Sequence, residues 1–116
     1  VDPRRMPMPF AVFFEDAPER ADQRAAHMPA HLAFLQAHAD VISAAGPLVA
    51  AAGLGAGPHP APGTPAGGLW NVTAGDAAVV RRLVEADPFW PTGLRRSVRI
   101  LDWRQVFAEG RALPQG

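Results

Sequence analysis

No cysteine, lysine or tyrosine occurs among the 116 residues. Without cysteine there are no disulfides, no thiolate zinc sites and no cysteine nucleophile. An excess of charge is lacking as well: eleven arginines face eleven carboxylates, leaving a formal net charge of zero. Such a balance argues against broad electrostatic binding to nucleic acid or to an anionic membrane surface. No apolar run approaches the roughly 18 residues of a membrane span. There is no Gly-x-Ser-x-Gly nucleophile motif, and Gly53, Gly55 and Gly57 run into Pro58 rather than into a helix, so a phosphate-binding loop is excluded. No apolar signal region follows the polar residues 1–5, and the expected location is cytoplasmic.

What is present fits one globular domain: 48% apolar and 19% charged residues. Residues 1–8 read as an extended lead-in or tag remnant. Phe10-Ala11-Val12-Phe13-Phe14 is an unbroken apolar run, the pattern of a strand buried on both faces, ended by Asp16-Ala17-Pro18. Residues 19–38 are strong helix formers. Met28, Leu32 and Leu35 supply their buried stripe, and Pro29 either kinks the helix or marks the first turn of a second piece. Val41 to Ala45 reads as a second strand, turned or bulged at Gly46-Pro47 before Leu48-Val49. Residues 53–68 hold four prolines and six glycines and form neither strand nor helix, a length of loop that often carries function. Leu69 to Thr73 is a third strand. Asp76 caps a helix over residues 77–86, with Val79, Val80, Leu83 and Val84 on one face, and Asp87-Pro88 ends it. Val98 to Trp103 is a fourth strand, with residues 108–116 as a C-terminal tail.

The order β-α-β-β-α-β predicts an α+β, ferredoxin-like fold: a four-stranded antiparallel sheet with both helices on one face. Phe10, Phe13, Phe14, Trp70 and Trp103 then offer more apolar surface than two short helices cover. A homodimer would bury the remaining face; in a monomer the long loop and the tail would cover it.

Reactive groups are few. His27 and His31 have the i, i+4 spacing of paired metal ligands, but Pro29 lies between them and no third ligand stands at a metal spacing, so no metal is assigned. Asp87 sits where the partial negative charge at a helix C-terminus disfavours a carboxylate. Either a hydrogen-bonded or charged partner compensates it, or it only organises the Asp-Pro turn. A histidine paired with such a carboxylate would have a fixed tautomer and raised basicity, the arrangement of a general base.

The run Arg24…His31-Leu32…Leu35, then Ala45-Gly46-Pro47, then Asp87-Pro88-Phe89…Gly93-Leu94 and a strand ending at Trp103 resembles the YciI-like (YCII-related) proteins over about residues 9–107. The resemblance implies a dimeric α+β barrel and a site pairing a helix-1 histidine, here His31, with the aspartate of the Asp-Pro-aromatic motif, here Asp87. It also points to lyase or isomerase chemistry without a cofactor, on an aromatic or lactone-like acid. In that reading His31 is the base and Asp87 its orienting partner. Arg24 holds an anionic substrate group, or is a surface ion-pair partner. Phe89 and Trp90 wall the pocket, or are core. The alternative is a non-catalytic dimeric module that binds a small-molecule ligand.

Overall fold

The computed structural model describes residues 7–55 and 57–114. Most of the lead-in (1–6) and the last two residues of the tail lie outside them. Strand β1 (Met8–Asp16) begins inside the expected lead-in and is followed by helix α1 (Asp22–Ala37) and strands β2 (Ile42–Val49) and β3 (Pro65–Ala74). Helix α2 (Ala77–Ala86) and strand β4 (Arg95–Asp102) complete the domain. The sheet order is β2-β3-β1-β4, with every neighbouring pair antiparallel. This is the expected α+β, ferredoxin-like β-α-β-β-α-β fold.

The registers Val12↔Trp70 and Val12↔Ile100 stack apolar side chains from three strands on one face. Phe10, Val12, Phe14, Trp70 and Val72 are buried there, together with Val80 and Val84 of α2. Full burial of each such side chain contributes about 1.5–3 kcal/mol. The strand β1 alternates instead of being buried on both faces: Phe13 points the other way and is 36% exposed. Of the five aromatics expected to overload the sheet, Phe10, Phe14 and Trp70 are thus in the helix-side core, while Phe13 and Trp103 are exposed.

Other expectations are refined. Helix α1 is a single element with Pro29 inside it, so no second piece begins there. The proline removes only the hydrogen bond to the Ala25 carbonyl, and both residues are exposed, so water can take the vacated acceptor. Its inward stripe is also different: Leu32 is half exposed and His31 is buried, flanked by partly buried Phe34 and Leu35. On α2, Val79 is 40% exposed at the edge of the apolar face, while Asp76 caps the helix as expected by accepting from the Val79 N–H at 3.0 Å. Beyond β4, part of the tail folds into a hairpin of β5 (Phe107–Ala108) and β6 (Arg111–Ala112).

The glycine-rich loop is shorter than expected because Pro65 to Gly68 belong to β3. Pro65 is tolerated as the strand's first residue. Gly67 has φ +93°, and a Cβ there would lie 2.0 Å from the Phe14 carbonyl oxygen. Only glycine fits. Gly67→Ala is therefore expected to destabilise the fold by at least about 1–3 kcal/mol, from backbone strain alone, read as a lower urea midpoint. An unchanged midpoint would mean that β1 and β3 do not approach this closely.

Candidate active site

Asp87 follows the last turn of α2 in an extended conformation (φ −66°, ψ 134°), which Pro88 enforces on the residue before it. That turn carries the carboxylate into the interior, where Asp87 is wholly buried. Its Oδ1 accepts the Phe89 backbone N–H at 3.1 Å, a turn closed by the aspartate's own side chain. The same oxygen lies 2.8 Å from His31 Nδ1. Oδ2 accepts from Arg95 Nη1, and the Arg95 side chain is only 4% exposed. These three donors compensate the carboxylate that the helix end disfavours. Burial by itself pushes the Asp87 carboxyl up. The His31 hydrogen bond, the Arg95 charge and the Phe89 N–H together outweigh it and hold the carboxyl below its ordinary value. Burial also draws the Arg95 guanidinium down, opposed by Asp87; arginine stays charged in proteins.

His31 is oriented by packing as well as by Asp87. Its ring stacks on Phe89 at a centroid distance of 4.1 Å and lies 6.3 Å from Trp70. With Nδ1 engaged by the carboxylate, Nε2 is the free nitrogen, and it has no hydrogen-bond partner among the described residues. Arg95 lies over the Phe14 ring at 3.9 Å, so a cation sits among aromatic faces in the core.

A cavity of about 100 Å³ opens beside this group. Its polar wall is Asp16, Arg24, His31 and Arg95, and its apolar wall includes Phe14, Met28, Leu35, Pro47 and Trp70. Arg24 lines it while its Nη2 donates to Asp16 Oδ2 at 2.5 Å. Arg24 is thus an ion-pair partner that also lines the cavity. Phe89 is buried beneath the His31 ring and Trp90 packs on the core with Arg81 over its ring at 5.1 Å. Neither is part of the cavity wall. No group of three or more His, Asp or Glu is gathered to hold a metal among the described residues, and no described helix is long and apolar enough to cross a membrane.

Sequence reasoning missed Arg95 and Asp16 as parts of this site. Asp87 carried the available signal: a carboxylate at a helix end requires a cation, and Arg95 is the first arginine after it.

No curated protein matches the chain. Among solved structures it is similar to 5-chloro-2-hydroxyhydroquinone dehydrochlorinase from Burkholderia phenoliruptrix AC1100 in complex with 2,5-dihydroxybenzoquinone, with 28% identity, a TM-score of 0.66, and 84% of this chain and 94% of that one covered. The YCII-related domain matches residues 8–104. With most of its length accounted for by that match, the chain belongs to the YCII-related domain family.

Proposed function

We propose that the chain is a cofactor-independent lyase or isomerase acting on a hydroxylated aromatic or lactone-like acid, with His31 as general base and Asp87 as its orienting partner. The observation that carries this is the 2.8 Å contact between His31 Nδ1 and the buried Asp87 carboxylate beside a cavity. A proton on Nδ1, donated to Asp87, leaves the Nε2 lone pair available as base. In an elimination, Nε2 takes a substrate proton and the electrons of the broken bond form a new double bond. The leaving group departs with its own electron pair. The imidazolium formed is stabilised by Asp87 and returns its proton to water. The similarity to a dehydrochlorinase acting on a chlorinated hydroxyhydroquinone supports this class of chemistry. Phe13 and Leu101, both exposed, support a second proposal, that two copies associate through the sheet faces opposite the helices.

The test is chloride release from chlorinated hydroquinones and absorbance-followed isomerisation of unsaturated lactone acids. Wild type should turn over a member of one class and His31→Gln should lose it. Turnover that survives His31→Gln would remove the histidine from the mechanism. Saturable binding without turnover by wild type would favour the ligand-binding module.

A further inference from the structure

The His31–Asp87 pair is part of a larger cluster, because Asp87 is shared with Arg95. His31 Nδ1 lies 2.8 Å from Oδ1, and Arg95 Nη1 donates to Oδ2. The Phe89 N–H donates to Oδ1 as well but carries no charge. All three side chains are withdrawn from water, Asp87 wholly and the other two almost so. Charges interact far more strongly there than in solvent, so the sum of charge in the cluster governs which groups ionise. With Asp87 an anion and Arg95 a cation the sum is zero while His31 is an uncharged imidazole. Without the guanidinium the carboxylate would be an unshared buried anion. Drawing a second proton onto His31 would then be the shortest route to neutrality.

Among the described residues no other group facing His31 can take the place of that guanidinium. Arg24 and Asp16, across the cavity, pair with one another at 2.5 Å and add no net charge. The residues of β2 and β3 that line the cavity, from Ala45 to Trp70, include nothing titratable. On α2, Arg81 and Glu85 pair with each other at 3.0 Å on the exposed side. On α1, His27 stands one turn before His31 and Asp87 is not among its partners. Arg95 is also held in place: its guanidinium lies over the Phe14 ring at 3.9 Å, a rigid aromatic floor that keeps the cation at Asp87.

We propose that Arg95 is a positioning residue that keeps His31 uncharged: by neutralising Asp87, it lets the carboxylate orient the Nδ1 proton without capturing a second one on Nε2. The inference rests on the reading of His31 as general base and adds what that reading needs, a histidine that both takes a proton and gives it up. An imidazolium facing an unshared buried carboxylate would be held too firmly to return its proton to water. Arg95 acts through Asp87 in this role, whatever the substrate.

Nitrogen–proton correlation NMR of the histidine rings reads the charge and tautomer of His31 directly, with no substrate present. At neutral pH the wild type should show an uncharged ring with its proton on Nδ1. Arg95→Gln keeps an amide donor for Asp87 but no charge, and Arg95→Met removes both. In each, the imidazolium should be favoured about tenfold to a hundredfold more than in the wild type, the scale on which a carboxylate favours a neighbouring cation. Arg95→Lys retains a cation and should leave the ring uncharged. In Asp87→Asn/Arg95→Gln the anion that draws the proton is gone, and the gain in imidazolium should vanish. On any substrate that is turned over, the acid-side fall of kcat/KM should move to higher pH in Arg95→Gln by the same factor. A merely structural arginine would leave ring charge and pH profile where they are. An imidazolium in the wild type at neutral pH would overturn the proposal, as would a ring in Arg95→Gln no more protonated than in the wild type, or a gain that persists in the double variant. Should the uncharged variants fail to fold, the wild type and Arg95→Lys still decide: an imidazolium in either overturns it, an uncharged ring in both supports it. The expected ring states without turnover on any substrate would sink the general-base reading and keep this charge assignment. Turnover that is lost in His31→Gln, with a ring in Arg95→Gln like that of the wild type, would do the reverse.

Discussion

Replacing Asp87 by asparagine is expected to lower kcat by about 10³–10⁴ and the folding stability by about 3–5 kcal/mol, although the two side chains have nearly the same shape. The three donors around the carboxylate explain why. Oδ1 accepts from Phe89 N–H and faces His31 Nδ1, while Oδ2 accepts from Arg95. An amide has one oxygen to share among them. If that oxygen faces Arg95, the amide N–H₂ opposes the Phe89 N–H and donates to His31 Nδ1. The proton then sits on Nε2, and the base is lost. If the oxygen faces His31, the amide N–H₂ is set against the Arg95 guanidinium, leaving a buried cation unpaired. Either arrangement forfeits something, and the choice favouring stability is the one that disables the histidine. His31→Gln, which removes the base outright, should cost about 10²–10⁴ in turnover but much less stability, because its amide N–H₂ can still donate to Asp87. Steady-state rates on the same substrate and urea midpoints for both variants separate the two effects. A fully active Asp87→Asn would show that the tautomer of His31 does not matter to the chemistry.

The legibility of this molecule in its sequence follows the same division between apolar pattern and polar partnership. Helix α2 was readable because Asp76, the valines at 80 and 84 and the Asp-Pro stop are all local signals. The succession of strands and helices along the chain is readable from local signals as well. Helix α1 was misjudged at its centre because a hydrophobic stripe counts only apolar residues. It selects Leu32, whereas the inward position belongs to His31, whose burial is made possible by Asp87, a residue 56 positions away. The pairing of His31 with Asp87 is implied only by the family resemblance; spacing along one chain carries no distance between them. Arg95 has only an indirect signal, the unfavourable place of Asp87 at a helix end. An arginine at a strand start reads as surface until the carboxylate it neutralises is known. The start of β3 was hidden by composition, since Pro65 and Gly67 argue against a strand everywhere except at its first residues and at a close backbone crossing.

Arg95→Met should cost about 3–5 kcal/mol near neutral pH, and the gap from wild type should close as the solution is acidified. Methionine keeps an unbranched apolar stem against Phe14, Trp70 and Phe89, so packing is largely retained. What is lost is the cation. In the wild type the folded Asp87 carboxyl lies below its ordinary value of 3.8. The unfolded chain therefore binds the extra proton first as the pH falls. The stability due to Asp87 is fully present above that ordinary value and disappears as the pH drops through the lower, folded one. Without Arg95 the same burial remains but a main opposing influence is gone, and the carboxyl rises. At neutral pH the variant then holds a buried anion with only His31 and the Phe89 N–H beside it. Protonating that anion relieves the variant in a range where it costs the wild type. Urea midpoints measured at neutral pH and near pH 3 should therefore converge. In the Asp87→Asn/Arg95→Met double variant both charges are absent, and the stability loss should be smaller than the sum of the two single losses, because neither partner is left buried alone. A gap between wild type and Arg95→Met that is constant with pH would show that Arg95 does not stabilise the fold through the Asp87 anion. Its place in the core would then rest on its contacts with the three aromatic rings.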